Sequence, residues 1–498
     1  MSYLRTLGRA LIGTRMGAYD AASISRRLAS WVAPQEHLNS ILQYNGATVR
    51  ARSRDSVRQD SWIASGVDDW VSEAIGTGGI PHPQHSNPEI RKLLKELWKQ
   101  FADEADAAGT SNVYGLQALA FRGAIEGGET FTRLRPRRPE DGLKVPLQLQ
   151  VVESEQVPLE KNESNGANKI RCGIEFTPFE KRAAYWMHAN HPYDGTITTN
   201  DLTTKRILAD YVLHEYHVRR PGQIRGEPWT VRSLVRAKQL SRFDDATAEK
   251  QALSACMVGL IEPPASEDII LPEDSSISET GETADTGQAL SRLSPGNFLV
   301  VPVDGKVTIM QGADVGANYE AFEKASLRWI AKGMGNTYEA ITGDLSGVNY
   351  SSIRAGVVKF RRLCRAVQEN LIIFQWSKPV WRAFVEACVL AGHINASDYA
   401  ANRAEYLDVI WQFTKWEWVD PLKDVQADRI EVEAGFASRS EKIAERGRDP
   451  EEVDNERLRD QDRAEDLGII TPSGAASPLI QSATQEEEAQ NANTETQQ

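Results

Sequence analysis

The sequence lacks any run of about 18 apolar residues, so nothing in it has the length to cross a bilayer as a helix. Cysteine is scarce: Cys172, Cys256, Cys364 and Cys388 lie far apart and form no CxxC pair. That removes zinc-ribbon and dithiol spacings and leaves reduced thiols in a chain assembled in a reducing compartment. Positive charge is outnumbered, with 57 Lys and Arg against 70 Asp and Glu and a net charge of −13. The basic face of a tight, static nucleic-acid binder is therefore not indicated. Gly76–Gly79 (GTGG) is glycine-rich but lacks the lysine of a GxxxxGK[ST] phosphate cradle. Ser346 and Ser351 lie near Asp344 without a GxSxG frame or a nearby histidine, so no catalytic residue is assigned. Three HxxH pairs, His82/His85, His188/His191 and His214/His217, have no third ligand at a recognisable spacing. They read as surface or interface histidines; no metal and no cofactor are expected.

At 498 residues, 41% hydrophobic and 26% charged, the chain suits two to four domains. Residues 1–60 read as helical and loosely anchored; Leu4, Leu7 and Leu11 form an apolar face with Arg5 and Arg9 between, an arm suited to docking on its own or a neighbouring subunit. A helix through Val67–Ile75 should stop at Gly76–Gly79, and another covers 88–106. Strands follow at Gly127–Arg135, Leu143–Val151 (with Pro146 forcing an edge or a bulge), Ile174–Phe176, Ala183–Met187 and Tyr211–Val218. A helix from Thr230 to Met257 ends at Gly259, Pro263 and Pro264. Residues 262–291 then carry eight acids and no Lys or Arg, the composition of an exposed, poorly ordered segment. Asp304-Gly305 between Phe298–Val303 and Lys306–Met310 is the strongest hairpin signal. An amphipathic helix spans 319–334, and charged helices fall near 421–436 and 438–466. Trp329, Trp376 and Trp381 read as packing residues.

The stretch from Thr342 to Trp376 is the most informative. Thr342, Gly343, Asp344, Ser346 and Gly347 form a polar, glycine-rich loop, and Asn349, Tyr350, Ser351 and Ser352 lead into a helix, with Asn349, Ser351 or Ser352 able to cap its start. Ile353, Val357, Phe360, Cys364, Val367, Leu371 and Phe374 then recur at steps of four and three, a heptad-like seam. Arg354, Lys359, Arg361, Arg362 and Arg365 surround it, and Pro379 should kink the helix before Leu390.

GMGNTYEAIT followed by GDLSGVNYSSIR closely resembles the tunnel-loop region of lambda-type portal proteins of tailed bacteriophages. RPGQIRGEPW (Arg220–Trp229), FLVVPVDGKVTIMQG (Phe298–Gly312), WVDPLKDVQAD with AGFASRSEKIAERGRDPEEV (Trp418–Val453), and Arg50–Gly78 are similar, in order, to that family's approach to the stem, clip hairpin, C-terminal region and wing. The resemblance implies an α+β portal fold assembled as a ring, typically a dodecamer. Its parts would be an α/β wing at 1–228, stem helices at 229–258 and 318–335, and a small β-containing clip at 259–317 with Asp304 and Gly305 in its hairpin. A tunnel loop at 336–352, a long kinked helix at 353–391 packing between subunits, wing or crown helices at 392–470 and a disordered tail at 471–498 complete it.

It also implies a non-enzymatic role in the virion, at one capsid vertex, after assembly in the host cytoplasm. Double-stranded DNA would pass through the ring without sequence preference. The expected partners are the terminase large subunit, the major capsid protein, a head–tail adaptor and further copies of the chain, with no membrane. An acidic lumen suits DNA that must slide, because many cation–phosphate contacts would stall it. The rival readings are a hydrolase with a lid at 342–352 and a capsid scaffold with no DNA role.

Overall fold

The glycine and Asx punctuation of the first half divides it into short amphipathic pieces, and the computed structural model shows how these pack. It describes residues 33, 35–196, 202–256, 260–261, 299–300, 318–347, 350–414, 416, 421–446 and 448–468. Helices α1 (Leu38–Gln59) and α2 (Ser61–Ala74) meet at Asp60, whose carboxylate accepts from the N–H groups of Trp62 and Ile63. Helix α2 stops before Gly76, at φ +56°. Strand β1 (Ile80–Pro83) and helices α3 (Pro88–Glu104) and α4 (Val113–Glu126) follow, the helices capped by Asn87 and Asn112. The anchoring of the first residues differs from expectation: Arg50 of α1 is buried, donating to Gly127 O at 3.2 Å and Glu129 Oε1 at 3.0 Å. A guanidinium with buried partners fixes the helix. The Leu4–Leu11 arm lies outside the described residues.

Strands β2 (Glu129–Pro136), β3 (Leu147–Val152), β4 (Glu163–Asn165), β5 (Asn168–Arg171), β6 (Ile174–Phe176), β7 (Arg182–His188), β8 (Thr204–Leu208) and β9 (Val212–Tyr216) form two antiparallel sheets, ordered β3-β2-β9 and β4-β5-β6-β7-β8. Pro146 lies just before β3, which is an edge strand. Phe131, Val152, Ile174, Phe176, Tyr185 and Met187 fill the space between the sheets. The fold class is α+β.

Helix α5 (Leu234–Cys256) starts after a 3₁₀ turn at Trp229–Arg232, later than the sequence suggested. At about 1.5 Å per residue it is roughly 35 Å long. It packs on the helix that follows the clip region, α6 (Asn318–Met334), through Phe243, which lies 5.9 Å from Tyr319 and 4.7 Å from Phe322. Between them, β10 (Leu260–Ile261) pairs in parallel with β11 (Leu299–Val300). Asp304 and Gly305 lie outside the described residues, as does 471–498.

Helix α7 (Tyr338–Thr342) falls inside the expected loop, and α8 begins earlier than expected, running Tyr350–Val367. Ser351 and Ser352 are therefore within the helix rather than at its cap. A π-helical segment, Gln368–Ser377, then leads into α9 (Lys378–Leu390). The irregularity expected at Pro379 thus lies upstream of it: the Lys378 N–H bonds to Ile373 O, five residues back. This wider turn carries the apolar seam out of register. Leu371, Ile372, Ile373 and Trp376 are buried, whereas Phe374, expected in the seam, is 68% exposed. Helix α10 (Ala396–Leu407), β12 (Val409–Gln412, paired with β1), α11 (Pro421–Glu433), α12 (Arg439–Glu445) and α13 (Pro450–Asp466) complete the chain, with Asp449 capping α13 and dividing the helix expected at 438–466. Trp376 and Trp381 are core residues, but Trp329 is 70% exposed on the outer side of α6. No described helix is long and apolar enough to cross a membrane.

Candidate functional site

The loop expected to touch DNA stands on a firm base. Trp70 Nε1 of α2 donates to Met334 O at 3.0 Å, and Asn336 Nδ2 donates to Gly66 O at 3.1 Å. A Cβ at Gly66 would sit 2.8 Å from Met334 Cε, the movable end of that side chain, so α2 and α6 pack closely here. Asp69, facing Asn336, is pushed up to about 6 by burial, against the opposing effect of the Asn336 hydrogen bond. Thr337 caps α7, accepting from Ala340 N at 3.2 Å, and Gly343 closes it at φ +67°. Gly347 does not adopt a positive φ.

Past Gly343 the chain is held by one carboxylate. Asp344 Oδ1 accepts from Ser346 N at 3.0 Å and Ser346 Oγ at 2.5 Å, and Oδ2 accepts from Tyr338 OH at 3.1 Å. The Ser346 bonds are the main reason its carboxyl lies below the usual range. Lys324 Nζ is 4.0 Å away, so the loop is not wholly without a cation nearby. Thr342 Oγ1 donates to Tyr338 O at 2.8 Å, leaving Leu345, exposed, near the loop tip. Asn349 lies outside the described residues.

Along α8, Phe360, Cys364 and Val367 are buried with Leu371 against α2, α5 and α6, while Ile353 and Val357 are half-buried. Burial, with Glu73 adding to it, pushes the Cys364 thiol up to about 12, so it is packing rather than a nucleophile. Arg361 Nε lies 3.7 Å from Glu73 Oε2, and the Arg361 and Arg365 guanidinium groups each lie 5.8 Å from the Trp416 ring. Glu73, Arg361 and Trp416 border a groove of about 730 Å³. Arg354 makes no ion pair with described residues of its own chain and is exposed.

Among the described residues, no HxxH pair brings both of its histidines into a group of three close ligand-type residues. His85 and His214 are buried, contrary to the surface reading. The one group of described ligand-type residues close enough for an ion is Glu153, Glu155 and His191. Arg54 Nη1 already stands 3.0 and 2.7 Å from the two carboxylates and supplies their cation.

Sequence reasoning missed a buried charge cluster joining α1, β2, β9 and the approach to α5. Glu129 receives Arg225 Nε at 2.8 and 2.9 Å, Gly226 N at 2.8 Å, Arg50 Nη2 at 3.0 Å and His214 Nε2 at 3.0 Å. Burial alone would raise its pKa, but Arg225, His214 and Arg50 outweigh it and hold the carboxyl well below its ordinary range. Burial lowers His214 to about 3, leaving it neutral. The Arg225 that closes this cluster lies within the motif before α5, so the α5–α6 hairpin is tied to the sheet through it.

A family model described as phage portal protein, lambda family, matches residues 24–368. The chain is 27% identical over 398 residues to a probable portal protein of Halomonas phage phiHAP-1, covering 79% of this chain and 74% of that one. It is 21% identical over 504 residues to portal protein B of Escherichia phage lambda, covering 93% and 92%. Among solved structures, the neck of an empty GTA particle computed with C6 symmetry aligns with a TM-score of 0.42 at 15% identity, over 84% of this chain and 97% of that one.

Proposed function

The chain belongs to the lambda family of phage portal proteins, and from that premise we propose that identical copies close into a ring at one capsid vertex, through which double-stranded DNA enters and leaves. The observation that carries this reading is the span of the family match. It runs from residue 24 to 368, through the wing-like sheets, the α5–α6 hairpin, the loop and α8. The α5–α6 pair is the stem, the segment between them the clip, and the loop after α7 the DNA-facing element. The clip docks terminase during packaging and the head–tail adaptor afterwards.

The geometry favours a loop that touches DNA loosely. Asp344 and Ser346 offer acceptors and a hydroxyl, and the nearest cation is engaged by Asp344 and Glu320. Phosphates meeting such a surface gain little, so the duplex slides. Deleting residues 344–349 is expected to leave rings visible by negative-stain microscopy while impairing DNA packaging or retention. Full packaging by that deletion would refute the loop assignment; a chain that never closes into rings would refute the portal reading itself.

A further inference from the structure

We propose that the outer end of strand β2 is a docking site for the sugar–phosphate backbone of double-stranded DNA, formed by Arg133, Arg135 and Arg137. Alternate residues of a strand share a face, so these three guanidinium groups form a ladder. The extended pairing continues past Pro136, because Arg137 N donates to Pro146 O at 2.9 Å. The same face begins with Glu129 and Phe131, buried in the charge cluster and under the second sheet; the ladder starts where that cover thins and the side chains become half-buried.

What distinguishes the ladder is its partners. Arg135 Nη1 donates to Gln150 Oε1 at 2.7 Å, and Arg137 Nε donates to Gln148 Oε1 at 2.8 Å. Both acceptors are neutral amides on β3, which orient the arginines without cancelling their charge. Arg133, opposite Gln150, makes no hydrogen bond or ion pair among the described residues. Burial and the charge of Arg135 both lower its pKa, a sign of like charges held together. By contrast, Arg54, Arg91, Arg122 and Arg439 each pair with a carboxylate. The acids that follow in sequence, Glu140 and Asp141, lie in the turn, where Asp141 caps the Arg138 N–H at 3.1 Å.

An unneutralised cation ladder calls for a regular polyanion. The step between alternate strand residues is about 6.8 Å, the axial rise of about two nucleotides along one DNA strand. Three such arginines present repeated phosphate donors over about 14 Å, and their planar forks suit phosphate oxygens. An acidic protein segment matches that repeat only when extended with acids at alternate positions, whereas every DNA strand carries it whatever its sequence. The site is separate from the loop after α7, and the loop deletion leaves it intact, so failure of either assignment does not decide the other.

The test is fluorescence anisotropy of a 30-base-pair duplex of arbitrary sequence with the full chain, between about 50 and 200 mM salt. Wild type is compared with the triple variant Arg133→Gln, Arg135→Gln, Arg137→Gln and with the matching triple Lys variant, after far-UV circular dichroism shows each is folded. The Gln variant is expected to bind more weakly, with the slope of log affinity against log salt shallower by about 2.7, three phosphates at about 0.9 each. The Lys variant is expected to keep most of the slope. Equal affinity and slope in wild type and Gln variant would overturn the proposal. So would capture of a polyglutamate peptide by a wild-type protein that ignores the duplex.

Discussion

Glu129 and Glu215 sit on neighbouring strands, both fully buried, with their carboxyl pKa values shifted in opposite directions. Glu129 is charged because two arginines and a histidine converge on it. Neither oxygen of Glu215 has a hydrogen-bond partner among the described residues, and burial pushes its pKa well above the ordinary value. A carboxyl raised on folding contributes stability that is complete below its unfolded pKa and is lost as pH rises towards the folded one. Glu215→Gln removes that loss. Its unfolding free energy from urea denaturation should therefore match wild type near pH 4 and exceed it increasingly above, by up to about 1.4 kcal/mol per pH unit. A constant difference from pH 5 to 8 would show that Glu215 is ionised in the fold. None of this was legible in the sequence. The partners of Glu129 lie 79 to 97 residues away, and Glu215 occupies an ordinary-looking place in VLHEY. The Arg133–Arg137 ladder was in plain view, but whether an arginine is paired depends on what lies opposite, and only the register with Gln148 and Gln150 shows that.

Among the elements, the long helix shows where periodicity reads true and where it fails. The seam through Phe360, Cys364 and Val367 is buried as spaced, because ordinary α turns carry it, and Leu371, early in the π segment, is still buried with it. Phe374 departs because the π segment adds residues to a turn, and no local pattern announces that. A reason for the wider turn lies across the structure. Gln375 Oε1 accepts from Tyr216 N at 2.9 Å and its Nε2 donates to Tyr216 O at 3.1 Å, completing the open edge of β9 as a further strand would. Leu371→Ala is expected to cost about 2–5 kcal/mol and Phe374→Ala less than about 1, by urea denaturation of the unassembled chain. Equal costs would restore the uninterrupted seam. Gln375→Ala should cost about 1–3 kcal/mol, since it leaves a buried strand edge unsatisfied. Helix α4 escaped notice altogether. Gly115 and Gly123 interrupt its pattern, and the need for Gly123 arises from Thr130, whose Oγ1 would lie 3.0 Å from a Cβ there.

For the whole molecule, the family could be read from five short blocks in order, because such blocks depend on chain order and not on contacts. The geometry of the loop could not: that α7 interrupts it, and that Asn336 and Trp70 fix its base on α2, are long-range facts. Charge shows the same division of scales. The chain is acidic overall, yet from Tyr350 to Gln368 it has five cations and no acid. Arg361 is engaged by Glu73 and Arg365 by Trp416. Arg354, Lys359 and Arg362 stay exposed, beside Val358 and Leu363, which are exposed as well. An outward face that mixes unpaired cations with aliphatic side chains suits a protein neighbour better than bare phosphate, because aliphatic groups gain only from excluding water. In the proposed ring, the neighbour that would supply carboxylates is the next copy of this acidic chain. Arg354→Glu should then leave the urea midpoint of the unassembled chain within about 0.5 kcal/mol of wild type, as an exposed substitution does. In light scattering the same variant should close into rings only at higher protein concentration, since it sets like charges against each other across a contact. Unchanged assembly would remove α8 from the subunit interface and return its cations to the channel wall.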